Sequence, residues 1–461
     1  VGAVTRPAFI GSRWAALSVA VVLLLTVAAL VPTVTSAAWQ DQVYADAQVL
    51  IVPAQVPDEL DAGAGFTCAL VAGDMWCWGE GGDGQLGVGS TVDADVPVSA
   101  GDGVTAMAVG TADHVSAGSG YACGASGGRA YCWGAGGGKL GNFNVAEPWQ
   151  VPSVSVPTAV YDLPAGTGNQ YQSPLAGRVV REVVAGQDIT CAVTELAPLQ
   201  GTPGACWGLQ VGLTRPASPA PQSWANAPIA LPSVAQDPGS QLPAGVPISS
   251  LTSSFEDACF IAAGIDYCWG TNEQGQLGVG SVNVAYTSPV QVLQGAMPAA
   301  PVDAITAGVF HTCAIAAAQV YCWGLRAGGR LGVNDGESGA LTSPGQVVGL
   351  TARTMVAVSA GMDSTCALDS TGQAWCWGGN AQGELGTTAV PVGQASPVPV
   401  AVQQPSGVLF TSISVGGNHA CAIADDDDIY CWGAAGTLGT GAGQAIAPVP
   451  AVPVTSTWVT P

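Results

Sequence analysis

Fourteen cysteines constrain this chain more than any other feature in it. They form seven pairs along the sequence: Cys68 with Cys77, Cys123 with Cys132, Cys191 with Cys206, Cys259 with Cys268, Cys313 with Cys322, Cys366 with Cys376 and Cys421 with Cys431. Each second member is followed at once by Trp and Gly. First cysteines succeed one another at 53 to 55 residues, apart from two steps of 68. A recurrence of that length marks a solenoid, a propeller or an array of supersecondary units.

Opposing the two cysteines of most pairs in a hairpin leaves a two-residue turn, Gly127-Gly128 in the second repeat and Ala263-Gly264 in the fourth. Glycine there suits the positive φ of tight hairpin turns. The last two pairs are one residue longer and ask for three-residue loops, Ser370-Thr371-Gly372 and Asp425-Asp426-Asp427. In that register Trp76 opposes Ala69, Tyr131 opposes Gly124, Tyr321 opposes Ala314 and Trp375 opposes Ala367, a small residue making room for each ring. Blade four departs, with Phe260 opposite Tyr267. The paired cysteines share the other face, within disulfide reach. The tryptophans after the second cysteines (Trp78, Trp133, Trp207, Trp269, Trp323, Trp377 and Trp432) are expected to be buried and structural.

Before each hairpin runs an apolar strand ending in Gly, as in VDAITAG from Val302; Ser254 replaces that Gly in the fourth repeat. After it comes a Gly-rich loop ending Leu-Gly, then a Pro-Val strand such as PVPV from Pro397. Four short strands per repeat make a propeller blade. The Pro-Val strand is expected to join the following blade, so that Pro448–Val454 closes the ring on the first.

The order of these elements, with AG before HTCAI, then YCWG, a Leu-Gly loop and PVxV, resembles the repeats of the regulator-of-chromosome-condensation family. The resemblance implies an all-β, seven-bladed propeller of four-stranded blades over residues 39–461. The paired cysteines resemble exported bacterial versions, one of which is a protein inhibitor of β-lactamase.

Residues 1–38 carry Arg6 and Arg13, then an apolar run from Ala15 to Val31 and small residues at 36–38. This pattern is expected of a signal peptide, or an anchor if uncleaved, and places the chain outside the cell or on its surface. Disulfides persist there. The net charge of −22 excludes a phosphate-binding face and so nucleic acid. No C-x-x-C occurs, His114, His311 and His419 lie in different repeats, and the Asp run 425–428 lacks the spacing of a calcium loop. Neither metal nor cofactor is expected. Glycine-rich GEGGDGQLG from Gly79 is followed by no Lys-Ser or Lys-Thr and is no phosphate cradle.

No nucleophile pairs with a base in the sequence, so the chain is expected not to be an enzyme. A monomeric binding or scaffold propeller is expected, engaging a protein or cell-wall component, with inhibition of an extracellular enzyme one concrete form. The resemblance also offers nucleotide exchange on a small GTPase, which export and acidity oppose. An extracellular lyase or hydrolase would show clustered acids around the central opening. Two enlarged segments, Asn142–Arg178 and Arg215–Pro247, break the repeat and carry Trp149, Tyr161, Tyr171 and Trp224, candidate partner-binding aromatics.

Overall fold

The computed structural model describes residues 56–100, 112–142, 152–160, 173–195, 204–209, 224–231 and 237–441, with Ala447 and Pro450. The expected signal segment and the boundary after residue 38 lie outside these residues.

Blade one shows the plan: β1 (Pro57–Ala62), β2 (Phe66–Val71), β3 (Asp74–Gly79) and β4 (Ala94–Ser99) pair in that order, each antiparallel to the next. Six sheets have four strands. The seventh has three, with a bridge from Gly433 to Ala447 in the fourth place. Seven sheets around one axis make a seven-bladed propeller.

The middle hairpin of every blade has the register expected of it, and cysteine faces cysteine in all seven. Each pair closes as a disulfide within its own hairpin. Cys68 bonds Cys77, Cys123 bonds Cys132, Cys191 bonds Cys206 and Cys259 bonds Cys268. Cys313 bonds Cys322, Cys366 bonds Cys376 and Cys421 bonds Cys431. No cysteine is left free. Trp76, Tyr131, Tyr321 and Trp375 stand opposite their small partners. In the two-residue turns both residues have positive φ, even where they are Ala317 (50°) and Ala318 (59°), the geometry that matches strand twist.

The glycine of Cys-Trp-Gly has its own cause. The outer strand carries two extra residues there, pairing Cys77 with Val98 but Gly79 with Ala94, a bulge. Gly79 has φ 107°, and a Cβ on it would lie 2.6 Å from the Gly65 carbonyl oxygen. Only glycine fits.

The seven tryptophans after the cysteines are all buried, as expected. Six donate Nε1–H to a carbonyl in the Leu-Gly loop of the preceding blade: Trp78 to Thr437, Trp133 to Gln85, Trp207 to Lys139, Trp323 to Gln276, Trp377 to Arg330 and Trp432 to Glu384, at 2.8 to 3.0 Å. The leucines of those loops are buried beside them. The core therefore sits between blades, in seven apolar clusters, one per junction.

One expectation is corrected. The Pro-Val strand belongs to its own blade, because the Gly-rich loop folds it back onto the strand that ends in Cys-Trp-Gly. The expected closing segment, Pro448–Val454, lies outside the described residues apart from Pro450; Ala447, just before it, pairs within blade seven. Closure comes from direct packing of the two end blades, with Leu60, Trp76 and Trp78 against Ile423, Ile429 and Leu438.

Candidate binding face at the ring axis

The first strands of the blades converge on the axis, and the residue after each forms a ring: Gly63, Gly118, Gly186, Ser254, Gly308, Gly361 and Gly416. At the six glycines the contact between neighbours forbids a side chain. A Cβ on Gly63 would stand 2.5 Å from the carbonyl oxygen of Gly118, one on Gly361 2.1 Å from that of Gly416, and one on Gly416 2.2 Å from that of Gly63. The next amide in five blades bonds across the junction: Ala64 to the Gly118 carbonyl, Ser119 to Gly186, Gln187 to Ser254, Met362 to Gly416 and Gly417 to Gly63. In blade four the Ser254 hydroxyl accepts the Phe255 amide instead.

One residue deeper, a belt of side chains ties the blades together. Ala185 N–H donates to Ser116 Oγ, Ala307 to Thr252, Ala360 to Thr306, Val415 to Ser359 and Ala62 to Ser414. In blade one the acceptor is a carboxylate. Asp61 takes the Ala117 amide (2.9 Å) and the hydroxyls of Ser116 (2.9 Å) and Ser414 (3.0 Å), spanning blades seven, one and two. Burial raises its pKa against those three bonds.

Acids do cluster at the axis. Glu59 accepts the Val115 amide at 3.0 Å and lies 2.7 Å from His114 Nδ1, whose Nε2 faces the Val183 carbonyl oxygen at 2.9 Å. A carbonyl only accepts, so Nε2 carries a proton, and the carboxylate holds a second on Nδ1. Burial disfavours that imidazolium, but Glu59, Glu182 and Asp61 outweigh it and raise the pKa of His114. These groups are spent joining blades one, two and three. Among the described residues no group of three or more His, Cys, Asp or Glu is placed to hold a metal ion.

His311 and His419 are fully buried at the starts of their hairpin strands. Thr365 gives its one hydroxyl proton to the Arg330 carbonyl (3.1 Å), so His311 Nε2–H donates to Thr365 at 2.8 Å and the ring is neutral. Burial pushes His311 down to about 3 and His419 to about 4.

The ring opens on one face as a shallow cavity of about 110 Å³. The residue after each ring position borders it: Ala64, Ser119 and Gln187 on blades one to three, Phe255, Val309 and Met362 on four to six, Gly417 on seven. The Leu-Gly loops share this face; the hairpin turns lie on the other. Of the candidate aromatics, Trp149, Tyr161 and Tyr171 lie outside the described residues. Trp224 begins the outer strand of blade three, Trp224–Ala230, so the enlarged segment contains a regular strand. Strand Val154–Ala159 does the same in the other segment. The strand ends flanking Trp149 lie on the Leu-Gly face and those flanking Tyr161 and Tyr171 on the hairpin face. What sequence reasoning missed is the mouth itself, visible only when the seven repeats are aligned at the residue after the ring glycine.

Residues 72–124, 264–315, 318–368 and 371–423 match the regulator of chromosome condensation (RCC1) repeat, and 355–384 and 410–437 match a second form of it. The chain carries RCC1 repeats. An RCC1-type propeller is also what the solved structures show: yeast Prp20p, from Saccharomyces cerevisiae, superposes with a TM-score of 0.65 at 20% identity, covering 83% of this chain and 86% of that one. Human WBSCR16 gives 0.65 at 16% identity, over 83% and 94%. Prp20p has been described with its binding properties to Gsp1p and histones, and bound to Kap60. Among curated relatives, the Arabidopsis thaliana ultraviolet-B receptor UVR8 is 32% identical over 177 residues, 38% of each chain. The match thus spans 38% of that receptor's length. The named structural and curated relatives are eukaryotic.

The expectation that the chain is not an enzyme is corrected by another relative. The human probable E3 ubiquitin-protein ligase HERC6 is 28% identical over 170 residues, 36% of this chain and 16% of that protein. RCC1 repeats occur within chains named as ligases, as a small part of them, so the absence of a catalytic motif in the repeats does not decide the class of the whole protein.

Proposed function

We propose that this RCC1-type propeller is an extracellular or cell-surface binding protein whose Leu-Gly face engages a protein partner. The observation that carries the reading is the unequal use of two kinds of surface. Strands, cysteines, tryptophans and ring glycines repeat from blade to blade and are consumed by the fold, while the residues bordering the axial mouth differ in every blade. Seven disulfides, one per blade, suit an oxidising compartment, and the apolar run at 15–31 suits export. Prp20p, of the same fold, binds other proteins. The enlarged segments of repeats two to four, with Trp149 and Trp224, extend the candidate surface.

The test is affinity capture of secreted and cell-wall proteins on the disulfide-complete chain, followed by titration of the purified candidate. Saturable one-to-one binding supports the reading. No partner that survives purification sinks it. A second reading, nucleotide exchange on a small GTPase, has the support of the fold shared with Prp20p, and release of labelled GDP from a GTPase panel tests it.

A further inference from the structure

The seven residues bordering the axial mouth occupy the same backbone position in seven equivalent blades, so each serves as a control for the others. Glycine, alanine, serine and glutamine all satisfy the fold there, at Gly417, Ala64, Ser119 and Gln187. Nothing in the scaffold therefore asks for Phe255, Val309 and Met362 on three consecutive blades. Met362 is 43% exposed, and Phe255 and Val309 are half-buried. Phe255 is held by a neighbour: its ring lies 6.2 Å from that of Phe310, tilted by 56°. Its amide is turned inward to Ser254, where the amides of five other blades bond across the junction. One sector of the mouth is thus apolar and ordered. Apolar side chains gathered at an opening are the mark of an interaction site, unlike isolated ones scattered over a surface.

Charge narrows the occupant. The seven three-residue turns around the mouth hold Asp188, Glu256 and Asp363 and no basic residue. Lys139 reaches Asp188 at 3.7 Å, and Arg330 pairs with Asp363 at 2.8 Å. Glu256, next to Phe255, has no cation within ion-pair distance among the described residues, and the acids Asp188 and Glu273 act on it, adding to the effect of burial. The cavity, at about 110 Å³, is smaller than the roughly 150 Å³ that admits benzene. It takes one side chain, not a helix.

We infer that the mouth is the docking point for a protein loop that presents one large apolar side chain at its tip with a lysine or arginine beside it. The tip seats against Phe255, Val309 and Met362, and the cation meets Glu256. This rests on the protein-binding reading above and names the element that is recognised.

The chain has five methionines, so methyl NMR of the ¹³C-methionine protein isolates Met362, with buried Met75 and Met355 as internal controls. The probes are two hairpin peptides identical except at the turn, Lys-Leu-Arg in one and Glu-Leu-Glu in the other. The Met362 signal is expected to shift saturably with the first, the buried methyls to stay, and the second peptide to bind about tenfold more weakly or not at all. Phe255→Ser and Glu256→Gln are each expected to weaken the first peptide by about tenfold. If Phe255→Ser misfolds, Met362→Gln at an exposed position replaces it, read by intrinsic fluorescence. Equal binding of both peptides, static methyls at millimolar peptide, or parental affinity in these variants overturns the inference. So does a dimer in sedimentation that Met362→Gln dissolves, since the occupant would then be a second copy. A captured natural partner that binds Phe255→Ser and Met362→Gln like the parent removes the mouth but leaves protein binding standing. Failure to capture any partner removes protein binding itself.

Discussion

Trp323 donates its indole N–H to the carbonyl oxygen of Gln276, one blade back, at 2.8 Å. The same bond recurs at six of the seven junctions. Among the described residues Trp269 Nε1 has no acceptor, and the Leu-Gly loop that would supply one is degenerate in blade three, reading LQVGL. Trp323→Phe is therefore expected to cost about 1 kcal/mol beyond the loss of ring area, and Trp269→Phe to lack that increment. Trp323→Ala should cost about 3–5 kcal/mol. Urea unfolding of the four proteins measures the differences; equal losses for the two Phe variants would remove the bond from the account.

The axial ring makes a steric prediction. Gly361→Ala places a Cβ against the Gly416 carbonyl, 2.1 Å away before relaxation, and should destabilise by about 1–3 kcal/mol. Ser254→Gly, at the one ring position that already carries a side chain, should be far milder. Thermal melts of both variants check the contrast, and a Gly361→Ala protein melting like the parent would show that the ring breathes.

Asp61 offers a test of the belt. Asp61→Ala leaves the Ala117 amide and the hydroxyls of Ser116 and Ser414 without their acceptor, a loss of about 2–4 kcal/mol. Asp61→Ser restores the hydroxyl that other blades use and removes a buried charge, so it should recover much of that loss. Denaturant midpoints decide; if the Ser variant is no better than Ala, the carboxylate is needed for more than its acceptor role.

The histidines pull stability in opposite directions with pH. His311 and His419 titrate at about 3 and about 4 in the fold, below the ordinary 6.5. Their contribution is complete above about 6.5 and lost as pH falls through those values. His114 is raised, so its contribution is complete below about 6.5 and lost as pH rises through its folded value. Asp257, pushed up by burial to about 7, loses its contribution as pH rises between about 4 and about 7 and so opposes the two buried histidines on the acid side. Melting temperatures from pH 4 to 9 should form a dome. His114→Gln should flatten its alkaline side alone and His311→Gln its acid side alone; a variant that flattens the wrong side overturns the assignment.

The hairpins were legible because two independent signals, the cysteine spacing and the turn chemistry around residues such as Gly127 and Gly128, fix one register. The outer strand was not. Its distances along the chain to the hairpin before and after it differ too little to choose, and the glycine of Cys-Trp-Gly, which recurs in every repeat and marks the bulge, does not say which strand pairs there. The axial cluster was hidden differently. Glu59, His114 and Glu182 stand on first strands of three blades, far apart in sequence, and each alone looks like a polar residue on a strand. The enlarged segments drew attention as irregularities, yet both contain ordinary outer strands, because an insertion beside a strand lengthens the connection without removing the pairing.

The glycine ring sets the circumference. Seven backbones meet at the axis, at six of the seven junctions with no room for a side chain between one residue and the carbonyl of the next, and the first and last blades meet in that same way. An eighth repeat would part these contacts at every junction, not only where it entered, and a lost repeat would force them through one another. Gain or loss of whole units, the easiest change for a repetitive sequence, is therefore closed to this chain. Novelty has to enter at the mouth and in the loops, where one blade can change without consulting the other six.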